Sequence, residues 1–213
     1  MKYLVTGGAG FIGTNLVKRL LADGHEVVVL DNYAAGKKPE RIQLGAQYIE
    51  GDIRHEADLD KVCPGIDGIF HLAALPRVTF SVEQPWATHE TNVDGTLKVL
   101  LAAKKHGVKR VVFSSSSSTY GATAAGQLLQ EDMAKKPISP YALHKFIGEH
   151  YCRLFSELYG LETVSLIYFN VYGSYFDPEG AYALVVGKFL KQMKNGEPLT
   201  VCGDGEYHRD YTH

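Results

Sequence analysis

Tyr141 and Lys145 stand four residues apart in the stretch Ser139-Pro140-Tyr141-Ala142-Leu143-His144-Lys145. Four residues of helix advance about 40° past one full turn, so the two side chains share a face. Ser139 before Pro140 reads as a helix start, with the serine as cap. Upstream, Ser114-Ser115-Ser116-Ser117-Ser118 runs into Thr119-Tyr120-Gly121. A tyrosine, a lysine and a serine hydroxyl in one place can take the proton of an alcohol while hydride leaves its carbon. The tyrosine must then ionise well below its ordinary pKa of about 10, a bias worth ~4 kcal/mol. Burial alone pushes the other way. A lysine cation and a positively charged hydride acceptor supply the bias, and the serine shares the proton.

The sequence offers a place for that acceptor. Thr6-Gly7-Gly8-Ala9-Gly10-Phe11-Ile12-Gly13 follows an apolar run and opens a helical pattern. Gly7, Gly10 and Gly13 are evenly spaced, and Gly8 with Gly10 and Gly13 also fits the dinucleotide fingerprint. Glycine here permits a tight turn, lets backbone amides approach a pyrophosphate and lets helix pack close on strand. The helix N-terminus adds unsatisfied N–H groups and the positive end of a dipole. Asp31 lies near the expected offset of about 20 residues for a carboxylate on the adenosine ribose. A carboxylate accepts from a ribose 2′-hydroxyl and repels a 2′-phosphate, so the expected cofactor is NAD rather than NADP. Lys37 and Lys38 lie too far on to change that and read as solvated. Asp52-Ile53, after the third strand, reads equally as flanking the adenine or, at Asp52, as a plain loop carboxylate.

These residues need a scaffold, and the chain alternates strand-like with helix-like stretches. Residues 2–6, 26–30, 47–50, 68–72, 110–114 and 163–168 read as strands, several apolar throughout, as in parallel sheets covered on both faces. Residues 11–22, 56–62, 93–106 and 139–159 read as helices. The alternation predicts a doubly wound α/β fold. On the last helix the apolar residues Leu143, Phe146, Ile147, Tyr151, Leu154, Phe155 and Leu158 form a broad arc, which predicts that Tyr141 and Lys145 lie off the core face. After Tyr168 the rhythm changes to a loop rich in Gly and Tyr, a helix over 182–194, then a short strand and a Gly-Asp-Gly turn. The expected division is a cofactor-binding domain, 1–168, and a partial substrate lobe, 169–213.

Composition narrows the function. The chain has 213 residues, 45% of them hydrophobic, and a formal net charge of −2, enough for a sizeable core and against disorder. Lys and Arg form no stripe, which argues against nucleic acid, and no basic amphipathic or spanning segment suggests a membrane. The N-terminus runs straight into the glycine loop and does not read as a signal peptide. Cys63, Cys152 and Cys202 are distant in sequence and fit neither a disulfide framework nor a metal site; reduced cysteines in a cytoplasmic protein are expected. The helices over 93–106 and 139–159 carry more apolar surface than one sheet face needs, which points to a homodimer.

Together these stretches resemble the extended short-chain dehydrogenase/reductase family, and within it the NAD-dependent nucleotide-sugar epimerases. The likeness spans the chain, through Thr6–Gly13, Asp31-Asn32, Gly51-Asp52-Ile53, His71-Leu72-Ala73-Ala74, Asn92-Val93-Asp94-Gly95-Thr96, Ser114–Gly121, Tyr141–Lys145, Tyr168-Phe169-Asn170-Val171-Tyr172-Gly173 and Gly203–His213. It implies a Rossmann doubly wound parallel sheet with part of a smaller C-terminal lobe. It implies NAD contacts from Gly7, Gly10, Phe11, Ile12, Gly13, Asp31, Asn32, Asp52, Ile53, Leu72, Ala73, Ala74, Asn92, Ser114, Tyr141, Lys145 and Phe169. Ser116, Tyr141 and Lys145 match the catalytic positions. Ser116, Ser118, Tyr141, Asn170 and Arg209 match substrate contacts, the arginine suiting a diphosphate.

The same resemblance bears on the reaction. Members share oxidation at the sugar's C4. Those that eliminate water or decarboxylate carry acidic residues beside the catalytic hydroxyl, whereas Ser116-Ser117-Ser118 has none. The oxidised sugar can only take hydride back, and return to the other face inverts C4. The expected activity is a UDP-sugar 4-epimerase acting on UDP-glucose and UDP-galactose. Asp177-Pro178-Glu179-Gly180-Ala181-Tyr182-Ala183 resembles the branch that accepts N-acetylhexosamines, so UDP-N-acetylglucosamine is the second expectation. A one-way sugar-nucleotide dehydrogenase and a non-catalytic NAD-binding module are the alternatives. Two departures stand out. Relatives commonly carry arginine where this chain has Ile167. They also continue past the motif that ends at His213, so the sequence as written is expected to bind NAD well but to turn over UDP-sugars poorly or not at all.

Overall fold

Strand β1 (Lys2–Thr6) alternates its apolar side chains between two cores, because successive residues of a strand face opposite sides of the sheet. Leu4 joins a cluster with Leu30, Ile69, Val99, Val111 and Phe113. Val5 joins one with Val17, Leu20, Val27 and Val29. Both residues are fully buried. Each such aliphatic side chain contributes roughly 1.5–3 kcal/mol relative to exposure. A strand with two dry faces must lie inside a sheet covered by helices on both sides, as the sequence predicts.

A computed structural model describes residues 1–122, 127–176, 185–201, 203–206 and 208–213. After β1 come α1 (Phe11–Ala22), β2 (Glu26–Asp31), β3 (Gln47–Glu50), α2 (Glu56–Val62) and β4 (Gly68–His71). Then follow α3 (Val78–Glu83), α4 (Pro85–His89), α5 (Gly95–Lys105), β5 (Arg110–Ser116), α6 (Pro140–Tyr159) and β6 (Glu162–Tyr168). These six strands form one sheet in the order β3-β2-β1-β4-β5-β6, parallel throughout. The order reverses between β1 and β4, the crevice in which doubly wound sheets bind ligands. Beyond β6, β7 (Asn170–Val171) and β8 (Tyr211–Thr212) form a small parallel ladder, with α7 (Val185–Asn195) between them in sequence.

Three readings are corrected. The helix expected over 93–106 belongs to a longer run that begins at Pro85, passes through a π turn at Glu90–Asp94 and continues as α5. Proline in the first turn, where its missing N–H has no helical partner, is the signal for that start. α3 is also absent from the sequence reading, because its six residues are too few to show an apolar period and Val82 among them is exposed. On α6, the core face is Ala142, His144, Lys145, Gly148, Cys152 and Phe155. Leu143, Leu154 and Leu158 of the predicted arc face outward. Lys145 therefore lies on the buried side, contrary to expectation. Residues 177–184, which include the N-acetylhexosamine-like stretch and the start of the helix predicted at 182, lie outside the described residues, as does Cys202. Cys63 and Cys152 are buried free thiols, both pushed up to about 11 by burial. Among the described residues, no helix is long and apolar enough to cross a membrane.

Candidate active site

The glycine loop joins β1 to α1 at the crevice. Gly7 has φ +72°, and a Cβ there would come within 2.7 Å of the Ala73 amide. At Gly13 a Cβ would lie 2.2 Å from the Gly7 carbonyl, so the first turn of α1 closes on the loop only without a side chain. Gly10 caps α1 in extended conformation with no side-chain bond, and a Cβ there would meet only the Gly7 carbonyl, at 3.1 Å. The first two glycines and the third thus serve different ends: a left-handed turn, an open approach to the helix N-terminus, and close packing.

A buried histidine fastens this loop to the neighbouring strand exit. His71, 1% exposed, lies 2.7 Å from the Thr6 hydroxyl through Nδ1 and 3.0 Å from the Thr96 hydroxyl through Nε2. Thr96 gives its own proton to the Asn92 carbonyl at 2.7 Å. Its hydroxyl must therefore accept from Nε2–H, which leaves Nδ1 to accept from Thr6. Burial, aided by the Lys145 charge, lowers the histidine to about 3 and keeps it neutral. The Ala73 amide donates to the same Thr6 oxygen at 3.3 Å, and Leu72 N–H to the Thr6 carbonyl at 3.1 Å. Asn92, inside the π turn, accepts from the Leu75 amide at 2.8 Å and donates to the Leu75 carbonyl at 3.0 Å. Leu72, Ala73, Ala74 and Asn92 are thus brought to one edge of the crevice beside Gly7.

On the other side, Asp31 ends β2. One carboxylate oxygen accepts the Ala9 amide at 2.9 Å and the other the Tyr33 amide at 2.8 Å. Burial raises its pKa, with those two amides opposing. Asn32 donates to Asp52 at 2.8 Å, and Arg54 meets both Asp52 oxygens at 3.0 and 2.8 Å. Burial of Asp52 works against ionisation, but the Arg54 and Asn32 bonds outweigh it and hold the carboxyl well below its usual range. Ile53 is buried against Gly95, where a Cβ would approach it within 2.7 Å. Asp52 reads from the sequence as flanking adenine or as a plain loop carboxylate; its carboxylate here is engaged by Arg54 and Asn32.

The catalytic trio gathers where β5 meets α6. Ser139 caps α6 through the Ala142 amide at 3.2 Å, as predicted. At Gly148 a Cβ would strike the Phe113 ring at 2.5 Å, so glycine lets α6 lie hard against β5. That closeness carries Lys145 Nζ to the Ser114 carbonyl, 2.7 Å away, and over the Phe113 ring, 5.0 Å from its centroid. Burial lowers the lysine to about 8. Tyr141 is raised by burial, with a hydrogen bond from Ser116 pulling the other way. Ser116 Oγ already accepts the Ser118 amide at 3.2 Å and the Ser118 hydroxyl at 3.0 Å. A hydroxyl has two lone pairs and one proton, so that proton is left for the Tyr141 oxygen, where it favours the phenolate.

Ser81 was not singled out from the sequence. Fully buried on α3, it accepts the Tyr141 amide at 3.0 Å and donates to the Val78 carbonyl at 2.6 Å. Nothing local in the sequence marks it, since its partner is far along the chain. Phe11 packs edge-on to Phe176 at 5.4 Å, and Ile12 and Phe169 are half-buried. Asn170 and Arg209 are brought close by the β7–β8 ladder, in which Asn170 pairs with Tyr211. Asn170 donates to the Asp210 carbonyl at 2.9 Å and Arg209 to the His208 carbonyl at 2.7 Å, and Arg209 is exposed.

A model of the NAD dependent epimerase/dehydratase family matches residues 3–213. The chain belongs to the NAD-dependent epimerase/dehydratase family. Among curated relatives of this family, a UDP-glucose 4-epimerase of Mycolicibacterium smegmatis is 39% identical over 218 residues, covering 99% of this chain and 69% of the relative. Among solved structures, the UDP-glucose 4-epimerase of Thermotoga maritima, with UDP-glucose, superposes with a TM-score of 0.93 at 40% identity and covers 99% and 69% of the two chains. The UDP-N-acetylglucosamine 4-epimerase of Methanobrevibacter ruminantium, in complex with UDP-N-acetylmuramic acid, gives 0.92 at 40% identity, with 99% and 68% covered. The chain spans about two thirds of the length of these relatives.

The epimerase/dehydratase family's cofactor suits the residues present. The open approach at Gly10 leaves room for a pyrophosphate on the α1 N-terminus, where free amides and the helix dipole favour anions. Each Asp31 oxygen takes one backbone amide, so each keeps a lone pair for a ribose hydroxyl.

Proposed function

We propose that this chain works as a UDP-sugar 4-epimerase, interconverting UDP-glucose and UDP-galactose. The observation that carries the reading is the meeting of Ser116, Tyr141 and Lys145 beside the glycine loop, with only serines at Ser116-Ser117-Ser118. Bound NAD supplies the reversible hydride acceptor. The chain's own residues handle the proton. Tyr141 Oη takes the proton of the C4 hydroxyl. It does so as the phenolate, which Ser116, its oxygen held by Ser118, favours with a hydrogen bond before the transfer. Lys145 keeps a cation behind the pair, steadied by the Ser114 carbonyl. With no carboxylate in the serine triplet to drive elimination, the available outcome is return of hydride to C4 and of the proton from Tyr141 to the C4 oxygen. Return to the opposite face gives the epimer.

The NAD contacts we assign are the glycine loop with Phe11 and Ile12, then Asp31 and Asn32, Asp52 and Ile53, Leu72–Ala74 with Asn92, Ser114, and Phe169. Ser118, Asn170 and Arg209 join Ser116 and Tyr141 on the UDP-sugar. Residues 1–168 are assigned to the cofactor domain and 169–213 to the substrate lobe. Exposed Leu143, Leu154 and Leu158 on α6 and Leu101 on α5 support a homodimer through these helices. Buried free thiols agree with work in the reducing cytoplasm.

UDP-N-acetylglucosamine is the second reading, favoured by the equal likeness to the Methanobrevibacter enzyme. Incubation of a chain extended to the length of its relatives with UDP-galactose and NAD, following UDP-glucose and free NADH, tests the assignment. Epimer without released NADH is expected. NADH release would mean a dehydrogenase, and neither product a binding module. Preference for UDP-N-acetylgalactosamine in the same assay would select the second reading.

A further inference from the structure

Glu149 lies one helical turn beyond Lys145 on α6 and has no part in the proton handling above. Its side chain is 15% exposed and that of its ion-pair partner, Lys135, is 10% exposed. One Glu149 oxygen accepts the Ser115 hydroxyl and the other meets the Lys135 ammonium. Burying two charges offsets most of their attraction, so such a pair is poor evidence of added stability. Removing one partner, however, strands a buried charge. The pair is therefore better read by what it joins.

Lys135 comes from residues 127–138, which approach α6 without regular structure. Its ammonium also lies 5.4 Å from the centroid of the Tyr120 ring. Tyr120 ends the short turn Ser117–Tyr120 that follows Ser116. At the next residue, Gly121 with φ +75°, the Lys136 carbonyl occupies the space of a Cβ, 1.9 Å from where it would stand. The segment thus packs against the serine turn at two adjoining places. Ser115, the third partner, sits between Ser114, whose carbonyl holds Lys145, and Ser116, which meets Tyr141. On β6 the residue paired with Ser115 is Ile167. Paired residues of a parallel sheet point to the same face, so the sheet offers Glu149 an uncharged neighbour and the segment supplies the cation. A cavity of about 240 Å³ is walled by Tyr120 and Ala122 on one side and by Gln127, Met133, Ala134 and Lys136 on the other.

We infer that Lys135 and Glu149 form a charge latch that fastens residues 127–138 to the catalytic helix and so fixes Ser116 against Tyr141. Both are positioning residues. The inference rests on Ser116 and Tyr141 being the reacting hydroxyls. Misplacing a catalytic group by about 1 Å costs on the order of a hundredfold in rate, and Ser116 is one residue from the latch.

Hydrogen–deuterium exchange on the full chain reads the latch without turnover. Lys135→Met is expected to speed exchange at 127–138 and 117–121 while leaving β1 unchanged; equal exchange in both proteins overturns the latch. With UDP-galactose, Lys135→Met and Glu149→Gln are each expected to lower kcat by on the order of ten- to a hundredfold, with KM and NAD affinity held within about threefold. Lys135→Arg is expected to recover most of the loss. The double variant Lys135→Met/Ile167→Arg offers Glu149 a cation from the sheet and is expected to recover thermal stability but not kcat. Recovery of kcat would show that neutralising Glu149 is all that matters, and the latch fails. It also fails if NAD affinity falls in step with kcat. A wild-type chain extended to the length of its relatives that converts no UDP-sugar defeats the functional reading instead, and the exchange comparison alone then decides the latch.

Discussion

Ser116 receives two donors from Ser118 and so presents its proton to Tyr141. The site thus prepares for a phenolate that burial opposes. Tyr141→Phe keeps the ring's packing and removes the proton acceptor. It is expected to bind NAD within about threefold of wild type and to lose turnover by about a hundredfold or more, measured by cofactor titration and by single-turnover conversion of UDP-galactose. Near-normal turnover would take Tyr141 out of the chemistry. The nucleophilic and polar types at this scale were legible in the sequence, since the Tyr141–Lys145 spacing, the glycine loop and Asp31 each declare a local requirement. What was not legible is how they are satisfied. Lys145 reaches a backbone carbonyl rather than solvent because Gly148 admits Phe113, a contact between elements that no spacing along the chain records.

Among the elements, α3 has no reacting group and yet holds the start of α6 through Ser81. In Ser81→Ala the Tyr141 amide loses its partner and the Val78 carbonyl its donor. Leaving a buried polar group unsatisfied costs about 1–3 kcal/mol. The expected result is a fall in kcat of roughly tenfold with KM little changed, and a lowered melting temperature. An unchanged kcat in a destabilised protein would confine Ser81 to a folding role. The parallel strands were found from their apolar runs to within a residue or two. The helices were read less well where they border something other than the sheet. The α6 leucines were assigned inward because they are apolar, yet Ala142, Gly148 and Cys152 are small enough to let the helix reach β5 and take that face instead.

For the molecule as a whole, the outward leucines of α5 and α6 predict a dimer at micromolar concentration by sedimentation. A monomer would mean that these arcs stay wet, against the usual limit on exposed apolar patches. Acid stability gives a second check. His71 and His144 are depressed mainly by burial, to about 3 and about 4, below the ordinary value of 6.5. Between those values and 6.5 the unfolded chain binds protons that the fold refuses, so stability rises with pH through that window. It is fully present above about pH 6.5 and is lost as pH falls towards 4. Urea midpoints measured from pH 7 to 4 are expected to fall, and His71→Asn should flatten the slope. A flat wild-type profile would refute the neutral assignment. The sheet order and its crevice follow from strand–helix alternation. This acid sensitivity does not, because it depends on a histidine buried by residues from three distant stretches.

A helix with one wide turn is out of phase with itself. Because the run from Pro85 to Lys105 contains the π turn at Glu90–Asp94, shortening it by one residue would restore a regular helix. The same change would swing Asn92 about 100° round the axis, taking both backbone bonds of Leu75 with it. Single-residue deletions across this turn should therefore be far more damaging than substitutions at its half-exposed Glu90 or Asp94. Homologous chains are then expected to keep the length of this turn and its Asn92, while varying in residue type at Glu90.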